Sequence, residues 1–223
     1  MSAAILSIIG GLSPSWQVVD IREFQAEHHH GIWLDCTRSE RHFMSNQYEE
    51  RSPLHCTYKF DSNAAEIIDK NIDDVDMGAA AVEAGHHQFF GWHKAVLICM
   101  ILSLCTGGMA IICGICAPCS PSCSLIYSIL AFVSFITSAG ALGVFFFAAH
   151  RVDIRFVQGL VATYEQEIGS AFFFYGTGTL LLLLAFIISV IVTYQLLRRT
   201  EEGIDFGMRE LAPLYGSRMT TVI

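Results

Sequence analysis

The sequence predicts an all-α membrane bundle with a long, disulfide-stapled segment at one end. Three uncharged apolar runs, Ala95–Ile115, Ser124–Ala149 and Gly169–Leu197, carry the first half of that statement. Two cysteines, Cys36 and Cys56, stand by themselves in the long stretch ahead of the runs and carry the second. A helix needs about 20 residues to cross the hydrocarbon core of a bilayer, and each run reaches that length. A chain of 223 residues suits one domain, and 53% hydrophobic with 15% charged residues is membrane-like.

The elements follow in order. Residues 1–12 include the apolar stretch Ala3–Leu12, which is short for a span at roughly 1.5 Å of rise per residue. No Lys or Arg precedes it, so it also lacks the basic start of a signal peptide. It reads as a truncated first span, with a short helix that thins the bilayer as the alternative. Residues 13–93 form a first loop, 94–116 a span and 117–123 a Cys-rich turn. A further span follows at 124–149, then a second loop at 150–168, the last span at 169–197 and a tail at 198–223. Arg198 and Arg199 directly after the last span predict a cytoplasmic C-terminus. Both loops are then extracellular, although Lys94, Arg151 and Arg155 run against the charge rule.

Charge is uneven along the chain. Ser13–His93 holds 14 acidic residues against 6 Lys and Arg, a difference of −8 that equals the net charge of the whole protein. The acidic face favours cations or basic partners, and no basic patch exists for nucleic acid. No Asp, Glu, Lys or Arg interrupts the three apolar runs, which argues against a proton relay or a self-contained ion path through one bundle.

In an oxidising compartment Cys36 and Cys56 have only each other as intramolecular partners in the first loop. Closing a loop of about 20 residues restricts the unfolded chain by about 3 kcal/mol in the chain-entropy model. Trp16 and Trp33 are expected near the membrane–water interface, with the indole body buried and the N–H wet. The stretches Trp16–Ile21 and His55–Phe60 alternate weakly, as short strands do. In Asp61–Ala84, Ala64, Ile67, Ile68, Ile72 and Val75 recur at helical spacing opposite Glu66, Asp69, Asp73, Asp74 and Asp76. An acidic amphipathic helix or a partly disordered acidic loop is expected there. His28–His30 with His86 and His87 read as a solvated, pH-responsive surface, because consecutive imidazoles cannot all face one ion. No metal or other cofactor is expected.

Trp16, the triplet Gly31-Ile32-Trp33, Cys36 and Cys56 together resemble the W…G-L-W…C…C signature of the claudin superfamily, which includes the peripheral myelin proteins and calcium-channel gamma subunits. The runs Ser13–Val19 and His28–Trp33 are similar to the first loop of the Clc-like tetraspan family described from nematodes. The resemblance implies a claudin-like four-helix bundle, first span short, with a small extracellular antiparallel β-sheet braced by the signature tryptophans. Ile32 replaces the usual leucine, and both the Cys36–Cys56 spacing and the first loop are longer than in claudins. These departures move the reading towards the gamma-subunit branch.

Small residues are expected to let the helices approach: Gly107, Gly108 and Gly114, then Ala139, Gly140 and Gly143, then Gly176 and Gly178. Ser134, Thr137 and Ser138 are placed to bond across that interface. Cys113, Cys116, Cys119 and Cys123 crowd the turn around Pro118 and Pro121, where palmitoylation or plain free thiols are equally consistent. Cys116-Ala117-Pro118-Cys119 also has the form of a C-x-x-C. A membrane thiol oxidoreductase is a remote alternative, because that motif and Cys36–Cys56 fall on opposite sides of the membrane. The chain ends Thr221-Val222-Ile223, which suits capture by a PDZ scaffold.

The function predicted is assembly, not catalysis, by a multi-pass plasma-membrane protein. It is either an adhesion or junction protein with a PDZ-binding tail, or an auxiliary subunit of an ion channel or receptor. Its partners are the lipid bilayer, a PDZ scaffold, and itself or another membrane protein in cis or trans.

Overall fold

The computed structural model describes residues 1–21, 26–39, 55–60, 90–117, 120–151, 155–158 and 163–216, the last helix with side chains as far as Glu202. Among the described residues four helices form the bundle: α1 (Ser2–Leu12), α2 (Gly91–Cys116), α3 (Pro121–Ala149) and α4 (Ser170–Gly216). Three stretches, Gly91–Cys116, Pro121–Ala149 and Ser170–Glu202, are long and apolar enough to cross a membrane. α1, with 11 residues, rises only about 16 Å. The last helix does not stop where the apolar run ends at Leu197. It continues as one rod to Gly216, and Arg198 Nε meets Glu202 Oε1 one turn on at 3.2 Å.

The turn between α2 and α3 is shorter than 117–123. Pro121 sits in the first turn of α3 behind the N-cap Ser120, where its missing N–H and fixed φ cost nothing. Cys113 and Cys116 therefore end α2, and Cys123 begins α3. Cys119 lies outside the described residues.

α3 packs against both α2 and α4, and α1 lies along α4. The inner face of α3 carries Ser124, Ser128, Ala131, Ser134, Ser138, Ala141 and Phe145, all buried and three or four positions apart. Its hydroxyls pair with those of the neighbouring helices. Ser103 and Ser134 donate to each other's backbone carbonyls at 2.9 Å. Ser138 meets Thr179 at 2.7 Å, and Thr193 lies 2.7 Å from Ser124 and 2.9 Å from Ser128. Thr137, expected to act likewise, donates instead to Val133 O of its own helix, as a threonine facing no polar partner does. Large apolar side chains such as Ile112 and Ile188 point outward, where lipid is the solvent.

The glycines divide in two. A Cβ on Gly107 would stand 3.1 Å from Ser134 Oγ, one on Gly114 3.3 Å from the Tyr127 ring, and one on Gly178 2.7 Å from Ser7 Oγ. Gly108, Gly140, Gly143 and Gly176 have no heavy atom of the described residues within 4 Å of that position. The expectation that all of them serve close packing is corrected: these four make no such approach to a described residue. Gly10 was not anticipated, yet a Cβ there would stand 2.7 Å from Tyr175 N. Gly10 and Gly178 bring α1 and α4 together.

At one end of the bundle lies a five-stranded antiparallel sheet in the order β4-β3-β2-β1-β7. The first loop supplies β1 (Gln17–Ile21), β2 (Ala26–His30), β3 (Leu34–Ser39) and β4 (His55–Tyr58), and the second loop adds β7 (Glu167–Ile168). A separate hairpin pairs β5 (Phe156–Gln158) with β6 (Thr163–Glu165). The weakly alternating stretches at 16–21 and 55–60 thus contain β1 and β4. The acidic stretch Asp61–Ala84 lies outside the described residues.

Gly10→Val is expected to push α1 off α4 and cost about 1–3 kcal/mol, the usual range for overpacking. Gly108→Ala should leave stability unchanged or slightly raised. Thermal unfolding of the two variants in one detergent checks the contrast, and equal losses would contradict this packing.

Candidate functional site

The sheet is seated on the bundle by the backbone ends of two helices. The last four carbonyls of a helix have no partner within it. In α1, Ile9 O accepts from Ser13 N–H at 3.1 Å. Trp16 Nε1 donates to Gly10 O at 2.9 Å, and Trp33 Nε1 donates to Gly11 O at 3.0 Å. The indole N–H groups are therefore not wet, as the sequence suggested. They close the end of the first helix, the Trp16 bond buried and the Trp33 bond half-buried. The Trp16 ring is wholly buried, with its centroid 4.8 Å from that of Phe145 and 5.6 Å from that of Tyr175. Ile32 is wholly buried beside it in the same core.

Helix α4 is closed by the same loop from the opposite sense. Gly169 N–H donates to Trp16 O at 2.9 Å and Ala171 N–H to Ser15 O at 3.0 Å, satisfying donors at a helix start. A Cβ on Gly169 would fall 2.1 Å from Ser15 O, and one on Gly31 2.4 Å from Leu34 O and 2.9 Å from Pro14 Cα. Both positions need glycine for close approach of backbone. Gly31 belongs to the signature; Gly169 was missed, and its one signal was a glycine at the very start of the last apolar run.

Cys36 and Cys56 are bonded, directly opposite each other on β3 and β4 with their Cα atoms 4.0 Å apart. One strand position along, Asp35 turns inward. Lys59 Nζ lies 3.2 Å from Asp35 Oδ1 and 3.0 Å from His93 Nε2, on the first turn of α2. His30 Nδ1 lies 3.5 Å from the same carboxylate oxygen. Asp35, Lys59, His30 and His93 are all buried. Burial pushes the Lys59 amine below its usual range, and the Asp35 carboxylate beside it pulls the other way.

The reading of His28–His30 as a solvated surface is corrected here. β2 is the middle strand, and its alternation turns His28 and His30 inward, at 3% and 7% exposure. His29 alone faces the other side, 3.0 Å from Ser15 Oγ and 3.3 Å from Glu27 Oε1. His86 and His87 lie outside the described residues. Among the described residues no three His, Cys, Asp or Glu side chains are grouped as a metal ion would need.

At the far end of the bundle, Cys116 is exposed and Cys113 and Cys123 are half-buried. Along α2 Cys116 stands 23 positions after His93, a rise of about 35 Å, so these thiols cannot meet the Cys36–Cys56 pair. Thr221, Val222 and Ile223 lie outside the described residues.

Lys59→Met should cost about 3–5 kcal/mol, because it removes the buried cation 3.2 Å from the Asp35 carboxylate. Adding Asp35→Leu removes the carboxylate as well and should restore most of the loss. Urea unfolding of the two variants beside the unaltered protein checks this, and a double variant no better than the single one would sink the ion-pair account.

The comparisons with known proteins agree with this architecture. The Clc-like family profile matches residues 1–201. Clc-like protein 5 of Caenorhabditis elegans is 26% identical over 192 residues, which are 81% of this chain and 59% of that protein. This chain thus spans less than two thirds of the length of that relative. A match over most of the chain, with the signature tryptophans, the bonded cysteines and the sheet on its bundle, shows that the chain belongs to the Clc-like family.

Proposed function

We propose that this chain is a plasma-membrane assembly protein whose sheet end faces outward and binds a neighbouring membrane protein, itself or another. The observation that carries the reading is the seating of the sheet. Two indole bonds to α1, two backbone bonds to α4 and the Lys59–His93 contact to α2 hold it to the bundle. Asp20 and Glu167, on the opposite face, are exposed among the described residues. A platform held this firmly suits recognition by shape. Adhesion between cells is the leading form of that recognition, with Thr221, Val222 and Ile223 engaging a cytoplasmic PDZ scaffold. Arg198 and Arg199 support a cytoplasmic C-terminus.

The second reading is an auxiliary subunit of a channel or receptor. The acidic excess of the first loop, 14 acidic residues against 6 basic, favours it, since such a field steers basic partners. On either reading the protein acts by assembly, not catalysis. Cys113, Cys116, Cys119 and Cys123 are the candidate acylation sites at the other end, and the exposure of Cys116 supports its use.

In mixed cultures of expressing and non-expressing cells that lack junctions, the tagged protein should concentrate where two expressing cells touch. Uniform surface staining would overturn adhesion and leave the auxiliary-subunit reading. Deleting Thr221–Ile223 should abolish recruitment of a PDZ scaffold without lowering thermal stability; retained recruitment would remove the tail from the account. Cys36→Ser, which strands Cys56, should reduce surface delivery, and unaltered delivery would contradict a structural need for the disulfide.

A further inference from the structure

The sheet exposes large apolar side chains at its β4 edge. Tyr58 is 56% exposed and Phe60 58%, whereas Lys59 between them is buried and turns to Asp35 and His93. Successive side chains of an extended segment leave on opposite sides, so the side chain that reaches α2 sets its two neighbours outward. The Tyr58 ring leans on that of Trp33, with centroids 5.9 Å apart. Lys59 N–H donates to Trp33 O at 3.0 Å. Trp33 is half-buried, and its indole reaches Gly11 O in the last turn of α1.

Those ties fix the height of the edge on the bundle. Gly11 lies beside Leu12, the exposed last residue of α1, and Ile5, Ile8 and Ile9 of the same helix are exposed as well. His93 stands in the first turn of α2, where exposed Lys94 is followed one turn later by exposed Ile98. The boundary between charged and apolar exposure therefore runs past the two points that hold Trp33 and Lys59. Phe90, the N-cap of α2, is exposed at the same level. The exposed apolar surface of α1 thus continues, by way of Trp33, onto Tyr58 and Phe60.

We propose that the β4 edge is a lipid-contact surface: Tyr58 and Phe60, with Trp33 beside them, lie among the headgroups and upper acyl chains of the leaflet at the sheet end. Rings with a polar tip favour that zone, and Tyr58 carries its hydroxyl there while Phe60 supplies a plain ring. The size of the patch favours lipid over protein. An aromatic side chain buries about 150–250 Å², so these partly exposed rings present roughly 300 Å² together. A stable protein interface takes about 800 Å² from each partner. At the other edge β7 carries exposed Glu167, and β1 beside it carries exposed Asp20; carboxylates favour water. The sheet therefore dips at β4 and stands clear at β7. This goes beyond the assembly readings and rests only on the bundle lying in a membrane, as its three spans imply.

The test is photolabelling of the unaltered full chain, one copy per disc, in phosphatidylcholine nanodiscs carrying a trace of phosphatidylcholine with a diazirine high on its acyl chain. Adducts should fall on Tyr58 and Phe60, as on Ile5, Ile8 and Leu12 of α1, and should be missing from Asp20 and its neighbours in β1. A second measurement puts the probe in the edge itself. The emission that Phe60→Trp adds over the unaltered protein should be blue-shifted in ordinary discs and lost in discs of phosphatidylcholine brominated high on the chain. A β4 edge free of adducts, or an added tryptophan that the bromolipid leaves unquenched, overturns the proposal and leaves the patch to a second copy or another protein. Adducts as frequent in β1 as in β4 overturn it too. If Phe60→Trp fails to fold, the photolabelling of the unaltered chain decides the matter by itself.

Discussion

A helix that ends inside a membrane protein has carbonyls or amides with no partner and no water to supply one. In this chain one short loop settles that problem for two helices, and the rest of the architecture follows from it. The indoles of Trp16 and Trp33 close the end of α1 through Gly10 O and Gly11 O. The backbone of Ser15 and Trp16 closes the start of α4 through Ala171 N–H and Gly169 N–H. The Trp16 bond is buried, so breaking it strands a polar group and costs about 1–3 kcal/mol. The loop is thereby fixed in direction, β1 begins at Gln17, and the order of the sheet is set from its β1–β7 side outward. The short α1 owes its place to the same bonds as much as to its contact with α4.

Below the sheet the bundle uses a different chemistry. Apolar burial drives little between helices in lipid, so small residues and hydroxyl pairs carry the contact. The pairs Ser103–Ser134, Ser138–Thr179 and Ser124–Thr193 succeed one another along α3, each spanning to a neighbouring helix. Such bonds are worth well under 2 kcal/mol apiece in membranes, but they fix the rotation of each helix about its axis. That rotation places Phe145 and Tyr175 under Trp16. The hydroxyl ladder and the indole seat are therefore parts of one constraint.

The sequence made some of this legible and hid the rest for identifiable reasons. The three long helices were readable because lipid demands an uninterrupted apolar run, and a single charge would have shown. The Cys36–Cys56 pair was readable because the first loop offers those cysteines no competitor. The sheet came chiefly through the family resemblance, since strands of four to six residues alternate too briefly to stand out. β7, with two residues, carries no pattern at all. Which histidines face inward depends on where β2 falls in the sheet, and a shift of one residue would invert the answer. Gly10 and Gly169 escaped notice because the need for glycine arises from a partner far away in sequence, Tyr175 in one case and Ser15 in the other. The same distance hid Lys59 and His93, which stand 34 positions apart and meet only in the folded chain.

The distribution of charge gives the molecule a division of labour. The apolar spans are held by hydroxyls, whose hydrogen bonds do not change with pH. The buried ionisable contacts of the described residues gather under the sheet, at Asp35, Lys59, His30 and His93. A buried ion pair is a weak source of net stability, because desolvation offsets most of its attraction. Replacing it by apolar side chains would hold the sheet at least as well, so its presence calls for an explanation other than strength. A polar joint differs from an apolar one in being directional. The indole bonds fix the sheet against α1 and the backbone bonds fix it against α4, and the contact of Lys59 with His93 sets its angle to the third helix, α2.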